Sequence, residues 1–344
     1  MYAVTWKRAA LDELADPWNN APDRARGTAA ANQIDQLLLR DPVGLGESRE
    51  RLFRALFVAP LGVTYRVNRA RRRSRLAGLS QAPAMKSVSN PQPTGEWCRP
   101  ARHVGRRVLS YDELPSAMTT AAALGEPGVA ILAGAQTAGR GQYGRSWLCP
   151  RESGVLLAVV VAPPPAARRP AVLTAWAAVG VAECIHSVTE LQPRIKWPND
   201  VLIDGKKVCG ILIESAAGTS MTAVAGIGLN VIQSAADFAA AGLPDATSLA
   251  ASTGQVFDTA AVAERLLDEL DRVYRLLDGD LKMLEAMWAN RLGLIGLPVT
   301  AELTDGTLRQ GELRGLTFDA IELDGDGTVT RLSPEAVRHL NESR

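Results

Sequence analysis

KWPNDVLIDGKKVCGILIE, residues 196–214, sets the architecture of this chain. Val, Leu and Ile fill two short runs on either side of Asp204-Gly205, and Asp-Gly between apolar runs is a strong signal for a two-residue β-hairpin. A Pro-Asn-Asp turn comes before the first run, and a strand that ends at Lys196 comes before the turn. The segment therefore predicts a strand, a turn and a hairpin in immediate succession.

Lys196 is the unusual residue of this segment, because it ends an apolar strand and is followed by Trp197. A lysine at a strand end beside an aromatic ring can direct a point charge into a cleft. The alternative is a lysine whose aliphatic stem packs on Trp197 while its ammonium reaches water. This segment alone leaves both interpretations open.

About fifty residues earlier, glycine and arginine alternate in AGAQTAGRGQYGRSW, residues 133–147, after an apolar run at 129–132. Glycine lets the backbone approach a ligand closely and adopt positive φ. Arginine supplies forked donors for a carboxylate or a phosphate. The pattern predicts a mobile basic loop that folds over a negatively charged reaction intermediate. A flexible surface loop with solvated arginines is the alternative.

A third motif, AGIGLNV at residues 225–231, indicates a strand that ends in glycines. Glycines at that place would let a flat ring lie against bare backbone. The three motifs, in this order and at this spacing, resemble those of the biotin–protein ligases, whose hallmarks are GRGxxGRxW, KWPND and GIGxN. The resemblance covers roughly residues 108–340.

The resemblance implies an α+β fold with a central mixed β-sheet and helices, of the class II synthetase-like type. A biotin ligase catalytic domain is expected over residues 108–294 and a small SH3-like C-terminal β-barrel over 295–344. The sequence itself also favours the barrel, because short alternating strands between 297 and 340 are separated by Asp-Gly and Gly turns. Amphipathic or Ala-rich helices are predicted over 173–189 and 258–277.

The resemblance also implies a reaction. ATP, accompanied by Mg²⁺, activates biotin to biotinyl-5′-AMP, and a lysine of a biotin carboxyl carrier protein of acetyl-CoA carboxylase or a related carboxylase then receives the biotin. Lys196 and Arg140 are the expected catalytic residues, because charge grows on phosphate oxygens and fixed cations stabilise it. We expect no metal to be held by the protein alone. The residues expected to contact biotin or biotinyl-AMP are Ser116, Ala117, Met118, Gln136, Gly139, Arg140, Gly141, Gln142, Arg145, Trp147, Lys196, Asn199, Asp200, Gly210, Gly226, Gly228 and Asn230.

Three of these side chains and Trp197 have further expected roles in the same scheme. Asn199 and Asp200 orient Lys196 or a metal-bound phosphate, while Trp147 and Trp197 supply apolar walls. The mixed anhydride hydrolyses readily in water, so the loop must close over it.

Two places depart from the family pattern. Ser116-Ala117-Met118 stands where the family carries Ser-Thr-Asn against the biotin ureido ring, so only the serine remains. Ser116 also suits the N-cap of the following helix. Gln142 stands where an arginine is usual, and a neutral amide binds an acyl phosphate less well than a guanidinium. We therefore expect the activated intermediate to dissociate more slowly from a Gln142→Arg variant, and an unchanged off-rate would refute the idea.

The composition of the 344-residue chain is that of an ordinary globular protein, with 47% apolar residues and a net charge of +1. This charge gives no argument for nucleic acid or membrane. Four cysteines without a CxxC pair and three histidines predict neither a disulfide framework nor a zinc site. We expect no membrane span and no signal peptide, and hence a cytoplasmic protein.

Residues 1–79 resemble the RelE/ParE toxin fold, with an opening strand at 2–6, a helical region at 8–40 and two strands between 52 and 67. Residues 1–90 carry 15 Lys and Arg against 8 Asp and Glu, a net charge of +7, which leaves −6 for the rest. The basic run at 69–75 shows no apolar alternation, so we expect the closing strand of that fold to be missing and the unit to be degenerate. Residues 80–107, rich in Pro, Ser, Gln and Arg, predict a disordered linker.

Three other functions stay open at this point. A lipoate-type ligase would share the fold and the adenylate chemistry, but should lack the glycine–arginine loop and KWPND together. A repressor–ligase would begin with a winged helix-turn-helix, and the strand-first pattern of residues 1–67 predicts no such DNA-binding domain. The first unit could instead define the function, as an RNA-cleaving toxin or as an RNA- or antitoxin-binding module. A homodimer also stays open.

Overall fold

The computed structural model describes residues 3–6, 36, 47–48, 53–58, 61–68, 73–81, 91–142, 145–215, 222–325 and 327–343. The chain divides into two compact units, residues 1–90 with 142–145 and residues 91–141 with 146–344. The second unit contains both KWPND and the glycine-ended strand.

The first unit contains a five-stranded sheet in the order β1-β5-β4-β3-β2, in which β1 and β5 are parallel and the other neighbours antiparallel. The expected opening strand and the two strands between 52 and 67 are observed. The predicted helical region at 8–40 lies outside the described residues, apart from Gln36. The strands are β1 Ala3–Trp6, β2 Glu47–Ser48, β3 Phe53–Val58, β4 Leu61–Asn68 and β5 Arg73–Gln81.

The prediction that the first unit lacks its closing strand is wrong. β5 begins inside the basic run and continues to Gln81, pairing with β4 from Asn68↔Arg73 to Leu61↔Gln81 and with β1 on its other side. A strand between two neighbours forms backbone hydrogen bonds on both edges, so the arginines at its start do not prevent it. The argument for a degenerate unit therefore no longer holds.

The second unit is built on an eight-stranded mixed sheet in the order β10-β11-β12-β13-β9-β8-β7-β6. β7 and β8 pair in parallel, and the other neighbours are antiparallel. This arrangement confirms the predicted mixed sheet. Its strands are β6 Gly95–Cys98, β7 Arg107–Tyr111, β8 Val129–Ala133, β9 Gly154–Val161, β10 Arg194–Lys196, β11 Asp200–Ile203, β12 Lys206–Ser215 and β13 Ala223–Asn230.

The predicted disordered linker at 80–107 is wrong over its second half, because β6 pairs with β7 at one edge of this sheet. The loop after β6 is fixed by Asp271, whose carboxylate accepts hydrogen bonds from the backbone N–H groups of residues 102–104 at 3.1, 2.6 and 2.8 Å. Burial raises the pKa of Asp271, but these three N–H groups outweigh burial, so that the pKa lies below its ordinary value.

Helices cover both faces of the sheet. One face packs against three long helices around the buried Trp176, and the other packs against the first helix of the unit. Gly180 lets two of the long helices approach closely, because a Cβ there would lie 2.8 Å from Leu270 Cδ2. The helices are α1 Ala117–Leu124, α2 Pro170–Thr189, α3 Ala235–Ala240, α4 Leu249–Thr253, α5 Thr259–Gly279 and α6 Leu281–Leu292.

Helix α2 is the one helix of the described residues that is long and apolar enough to cross a membrane by length and composition. However, 67% of its apolar window is buried inside the protein. Trp176 of this helix donates to the Leu270 carbonyl at 3.0 Å, and its neighbours pack against the sheet and α5. Its apolar character is therefore that of a core helix.

A separate five-stranded antiparallel sheet follows α6, in the order β17-β16-β15-β14-β18. Arg169, directly before α2, ties this sheet to the central part, because it donates to the Phe318 carbonyl at 2.6 Å and pairs with Asp319 and Glu335. The α+β class with a small C-terminal β unit is confirmed. The strands are β14 Pro298–Leu303, β15 Leu308–Leu316, β16 Ile321–Gly325, β17 Thr328–Leu332 and β18 Val337–Glu342.

Candidate active site

Three glycines in the middle of the large sheet lie directly beneath large side chains. Gly210 of β12 lies opposite Gly228 of β13, and the Trp147 indole rests on both, since a Cβ would lie 2.8 Å from Trp147 Cζ3 at Gly210 and 2.5 Å from Nε1 at Gly228. At Gly226 a Cβ would lie 2.6 Å from Met118 Cγ. Such close approach requires glycine. We call Gly210, Gly226 and Gly228 the glycine floor.

One register row connects the glycine floor to the KWPND turn. Lys196 of β10 lies opposite Asp200 of β11, Asp200 lies opposite Gly210, and Gly210 lies opposite Gly228. Residues directly opposite each other on neighbouring strands point to the same face of a sheet. Lys196, which is exposed at the end of its strand, therefore lies on the same face as the glycine floor.

The predicted hairpin between β11 and β12 is confirmed. Asp204 and Gly205 have φ values of 48° and 77°, as both central residues of a type I′ turn require. This turn returns the chain so that β12 brings Gly210 beside Asp200.

Lys207 is a cation of this site that the sequence motifs did not single out. Its Nζ lies 2.6 Å from Asp200 Oδ1 and 5.5 Å from the centroid of a Trp147 ring. A Cβ on Gly210 would lie 3.3 Å from the same Nζ. The ammonium therefore stands at the edge of the glycine floor.

The prediction that Asn199 and Asp200 orient Lys196 is corrected by the structure. Asn199 is buried and donates from Nδ2 to the Ile211 carbonyl at 2.6 Å, while its own carbonyl accepts the Ile211 N–H at 3.1 Å. These two bonds fix the turn against β12. Asp200 forms its ion pair with Lys207 instead.

The glycine–arginine loop begins and ends at the glycine floor. Trp147 donates its backbone N–H to the Gly139 carbonyl at 3.0 Å, and a Cβ on Gly139 would lie 2.7 Å from the Trp147 carbonyl oxygen. Arg140 pairs with Glu214 at 3.0 Å. Glu214 lies four residues after Gly210 on β12, so both face the same side. The structure therefore places Arg140 and the glycine floor on one side of the sheet.

The start of α1 lies next to this floor. Ser116 is the N-cap, as predicted, and accepts the Thr119 N–H at 3.4 Å. The Ala117 N–H donates to Gln136 Oε1 at 2.8 Å, so Gln136 holds the beginning of the helix. Met118 is buried and covers Gly226.

Two residues predicted to contact the ligand instead donate hydrogen bonds to backbone carbonyls of other segments. Trp197 is buried, donates from Nε1 to the Val337 carbonyl at 2.9 Å and packs 5.4 Å from Trp288. It therefore faces the C-terminal sheet, and the prediction that it forms an apolar wall of the site is wrong. Asn230 donates to the Thr247 carbonyl at 3.0 Å, which gives it a structural role.

Gly141 follows Arg140 in the second unit, whereas Gln142 and Arg145 group with the first unit. The Arg145 N–H donates to the Gln142 carbonyl at 3.2 Å. Contact of these three residues with a ligand stays a prediction.

The thiols near the floor are unsuited to nucleophilic catalysis. Burial raises the pKa of Cys209, which lies beneath the sheet in the helix-covered core, and burial also raises the pKa of Cys149. A protonated thiol is a poor nucleophile.

The arrangement suits a ligand with a flat apolar part and an anionic part. The Trp147 indole on the glycine floor offers a flat surface for a ring, and Lys196, Lys207 and Arg140 bring positive charge to the same face. Fixed cations stabilise charge that develops on a carboxylate or a phosphate. This combination suits an activated acyl or phosphate ligand.

The chain is similar to known ligases. The model of the Biotin/lipoate A/B protein ligase family matches residues 121–230. The Bifunctional ligase/repressor BirA of Bacillus subtilis is 32% identical over 227 residues, which are 64% of this chain and 70% of the relative. The Biotin--[acetyl-CoA-carboxylase] ligase of Mycobacterium tuberculosis is 36% identical over 220 residues, 62% of this chain and 79% of the relative. The chain belongs to the biotin–protein ligase family.

The fold agrees with that family. The structure of the biotin protein ligase from Aquifex aeolicus in complex with biotin and ATP superposes with a TM-score of 0.57 at 25% identity, covering 69% of this chain and 99% of that chain.

Proposed function

We propose that this chain is a biotin–protein ligase that activates biotin with ATP to biotinyl-5′-AMP and transfers the biotin to a lysine of a biotin carboxyl carrier domain. The observation that carries the proposal is the register row that brings Lys196 and Asp200 to the glycine floor. The family of the chain supports biotin as the acyl substrate.

The first half-reaction needs positive charge beside the α-phosphate of ATP. The biotin carboxylate attacks the α-phosphate of ATP, a new carboxyl–phosphate bond forms and pyrophosphate leaves. Negative charge grows on the phosphate oxygens, and Lys196 and Arg140 are the cations that we assign to stabilise it. We assign Mg²⁺ to the nucleotide, whose phosphate charge it would neutralise.

The second half-reaction needs exclusion of water until the acceptor arrives. The amine of the acceptor lysine attacks the activated carbonyl, an amide forms and AMP leaves. We propose that the segment from Gly139 to Arg145 closes over the adenylate, because its base is already bound to Trp147 beside the glycine floor. We retain slower dissociation from Gln142→Arg as a hypothesis of the same model.

The acceptor, the compartment and the domain organisation belong to this proposal. The relative from M. tuberculosis is named for acetyl-CoA carboxylase, which supports a biotin carboxyl carrier protein as the acceptor. We propose a cytoplasmic enzyme with a catalytic domain over 108–294 and an SH3-like domain over 295–344. Absence of a winged helix and the question of a homodimer stay predictions.

The test incubates the protein with ATP, Mg²⁺, labelled biotin and a biotin-carrier domain, and also measures biotin-dependent pyrophosphate exchange. We expect labelled carrier with the unchanged chain and a loss of about 10²–10³ in exchange rate for Lys196→Ala, the order seen when one stabilising donor is removed. Lys206→Ala is the control, since Lys206 is exposed on the same hairpin. A chain that supports neither exchange nor labelling would contradict the proposal. Exchange with lipoate instead of biotin would favour the lipoate-type alternative.

A second function of the first unit is favoured by one observation, the presence of β5 between β1 and β4. A complete five-stranded sheet is compatible with an independent RNA- or antitoxin-binding module of the RelE/ParE type. The test expresses residues 1–90 alone and measures growth arrest and RNA degradation. If circular dichroism shows that the fragment is folded and it causes neither growth arrest nor RNA degradation, an autonomous toxin is excluded.

A further inference from the structure

We propose that Lys207 is a further ligand-binding residue of the site, whose ammonium contacts the acyl-phosphate group that biotin and ATP form. This inference rests on the proposed function and adds a third cation to the two that the motifs assign. It is carried by the backbone path of β12, by the contacts of the ammonium and by its place beside the glycine floor.

A β-bulge turns Lys207 to the ligand side. Val201 lies opposite Cys209 and Leu202 lies opposite Lys207, so Val208 is an extra residue on β12. Val208 and Cys209 are both fully buried in the core beneath the sheet. Strict alternation from Gly210 would place Lys207 on that core side as well, and the extra residue reverses its direction.

The backbone of Lys207 is fixed from outside the hairpin. Its N–H donates to the Asp245 carbonyl at 2.7 Å, and its carbonyl accepts the Thr247 N–H at 2.8 Å. A side chain on an anchored backbone is placed with less loss of conformational entropy when a ligand binds. The position of Lys207 is therefore prepared before the ligand arrives.

The contacts of the ammonium leave it able to bind an anion. An ammonium has three N–H donors; Asp200 Oδ1 lies 2.6 Å from Nζ, and the centroid of a Trp147 ring lies 5.5 Å from it. The side chains of the ion pair are 34% and 23% exposed, and such partly exposed pairs contribute little to stability. Replacement of the Asp200 contact of Lys207 by a phosphate oxygen therefore costs little free energy.

Asp200 also lies opposite Lys196 in the register row. One carboxylate thus stands between two lysines, and the three side chains together carry one positive charge. An incoming phosphate therefore meets a net attraction beside the Trp147 indole. A purely structural salt bridge would hold β11 to β12 and have no effect on binding, so the two roles can be separated by experiment.

The experiment compares the full-length chain with Lys207→Met, which removes the charge and keeps the stem, and with Lys207→Arg, which keeps the charge. Lys206→Met is the matched control on the same hairpin. Isothermal titration measures the Kd of biotinol-5′-AMP, a non-hydrolysable phosphodiester analogue, and of biotinol, which has no anionic group. Biotin-dependent pyrophosphate exchange of the unchanged chain is measured in parallel.

We expect Lys207→Met to weaken biotinol-5′-AMP binding by 10- to 100-fold and to leave the Kd of biotinol within about twofold of the unchanged chain. At high salt the difference in biotinol-5′-AMP affinity between Lys207→Met and the unchanged chain should become small, because charge interactions are screened. Lys207→Arg should recover much of the affinity, and Lys206→Met should resemble the unchanged chain. Equal affinity for biotinol-5′-AMP in Lys207→Met, or an equal loss for both ligands, would overturn the inference. If the unchanged chain shows no exchange and binds neither ligand, the proposed function itself fails.

Discussion

Substitution of Gly228 by alanine perturbs the glycine floor at its most crowded point. The new Cβ would lie 2.5 Å from Nε1 and 2.7 Å from Cζ2 of Trp147. Carbon contacts are ordinarily about 3.5–4.0 Å long, so the indole must move by roughly 1 Å. The backbone of Gly228 is extended within β13, and alanine is accepted there without backbone strain.

The magnitude follows from this displacement. A misplacement of about 1 Å in an active site lowers the rate by about 100-fold, which corresponds to about 2.7 kcal/mol of transition-state stabilisation. We expect kcat/KM of biotin-dependent pyrophosphate exchange to fall by that order in Gly228→Ala. The thermal midpoint should change by only a few degrees, because alanine replaces glycine inside a strand.

Two further substitutions make the comparison quantitative. In Gly226→Ala the Cβ would meet the Met118 side chain, 2.6 Å from Cγ, and a flexible thioether can move aside, so we expect a smaller loss of about tenfold. Gly279→Ala is the control, since nothing lies within 4 Å of a Cβ there. Exchange activity of Gly228→Ala within twofold of Gly279→Ala would refute the assignment of the glycine floor to the ligand site.

Two more predictions concern the parts that support the site. Trp197→Phe removes the hydrogen bond to the buried Val337 carbonyl, so we expect a loss of about 1–3 kcal/mol in the free energy of unfolding, measured by urea denaturation; an unchanged midpoint would contradict this role. Asp271→Asn should lose about 1–3 kcal/mol at pH 7, and the difference from the unchanged chain should shrink as the pH falls below about 4. The pKa of Asp271 in the folded state lies below its ordinary value. The ionised carboxylate therefore stabilises the folded state at pH values above the ordinary pKa, and this stabilisation is lost as the pH falls and the carboxylate is protonated. Urea titrations of both proteins at several pH values check it, and a difference that grows toward low pH would contradict it.

Local pattern was sufficient for the elements whose partners are close in sequence. The Asp204-Gly205 turn fixes its own hairpin, as observed. Ser116 caps α1 because its side chain needs only the N–H three residues ahead. In these cases the responsible physical interaction lies within a few residues.

Interactions distant in sequence explain the failures. Trp197 follows Lys196 directly, yet its side chain is determined by Val337 in β18, 140 residues later. A strand-end tryptophan gives no local sign of which side it will face. The linker prediction failed for the same reason, since β6 pairs with β7 and the loop after β6 is bound by Asp271 of α5.

Lys207 shows the limit of strand periodicity. Alternation counted from Gly210 assigns it to the core side, and the bulge at Val208 reverses that assignment. The bulge arises because both Val208 and Cys209 are buried in the same core. An apolar pair at adjacent strand positions is the signal that could have indicated it.

Arg140 and Lys196 lie on the glycine-floor side of the sheet, and we propose that both bind the same ligand. A crystal structure of the chain with biotinol-5′-AMP shows whether they do. We predict that the ligand lies over the floor and that its phosphate oxygens lie within about 3.2 Å of donors from both Arg140 and Lys196. A ligand bound away from Gly226 and Gly228, or a phosphate that contacts neither cation, would contradict the account.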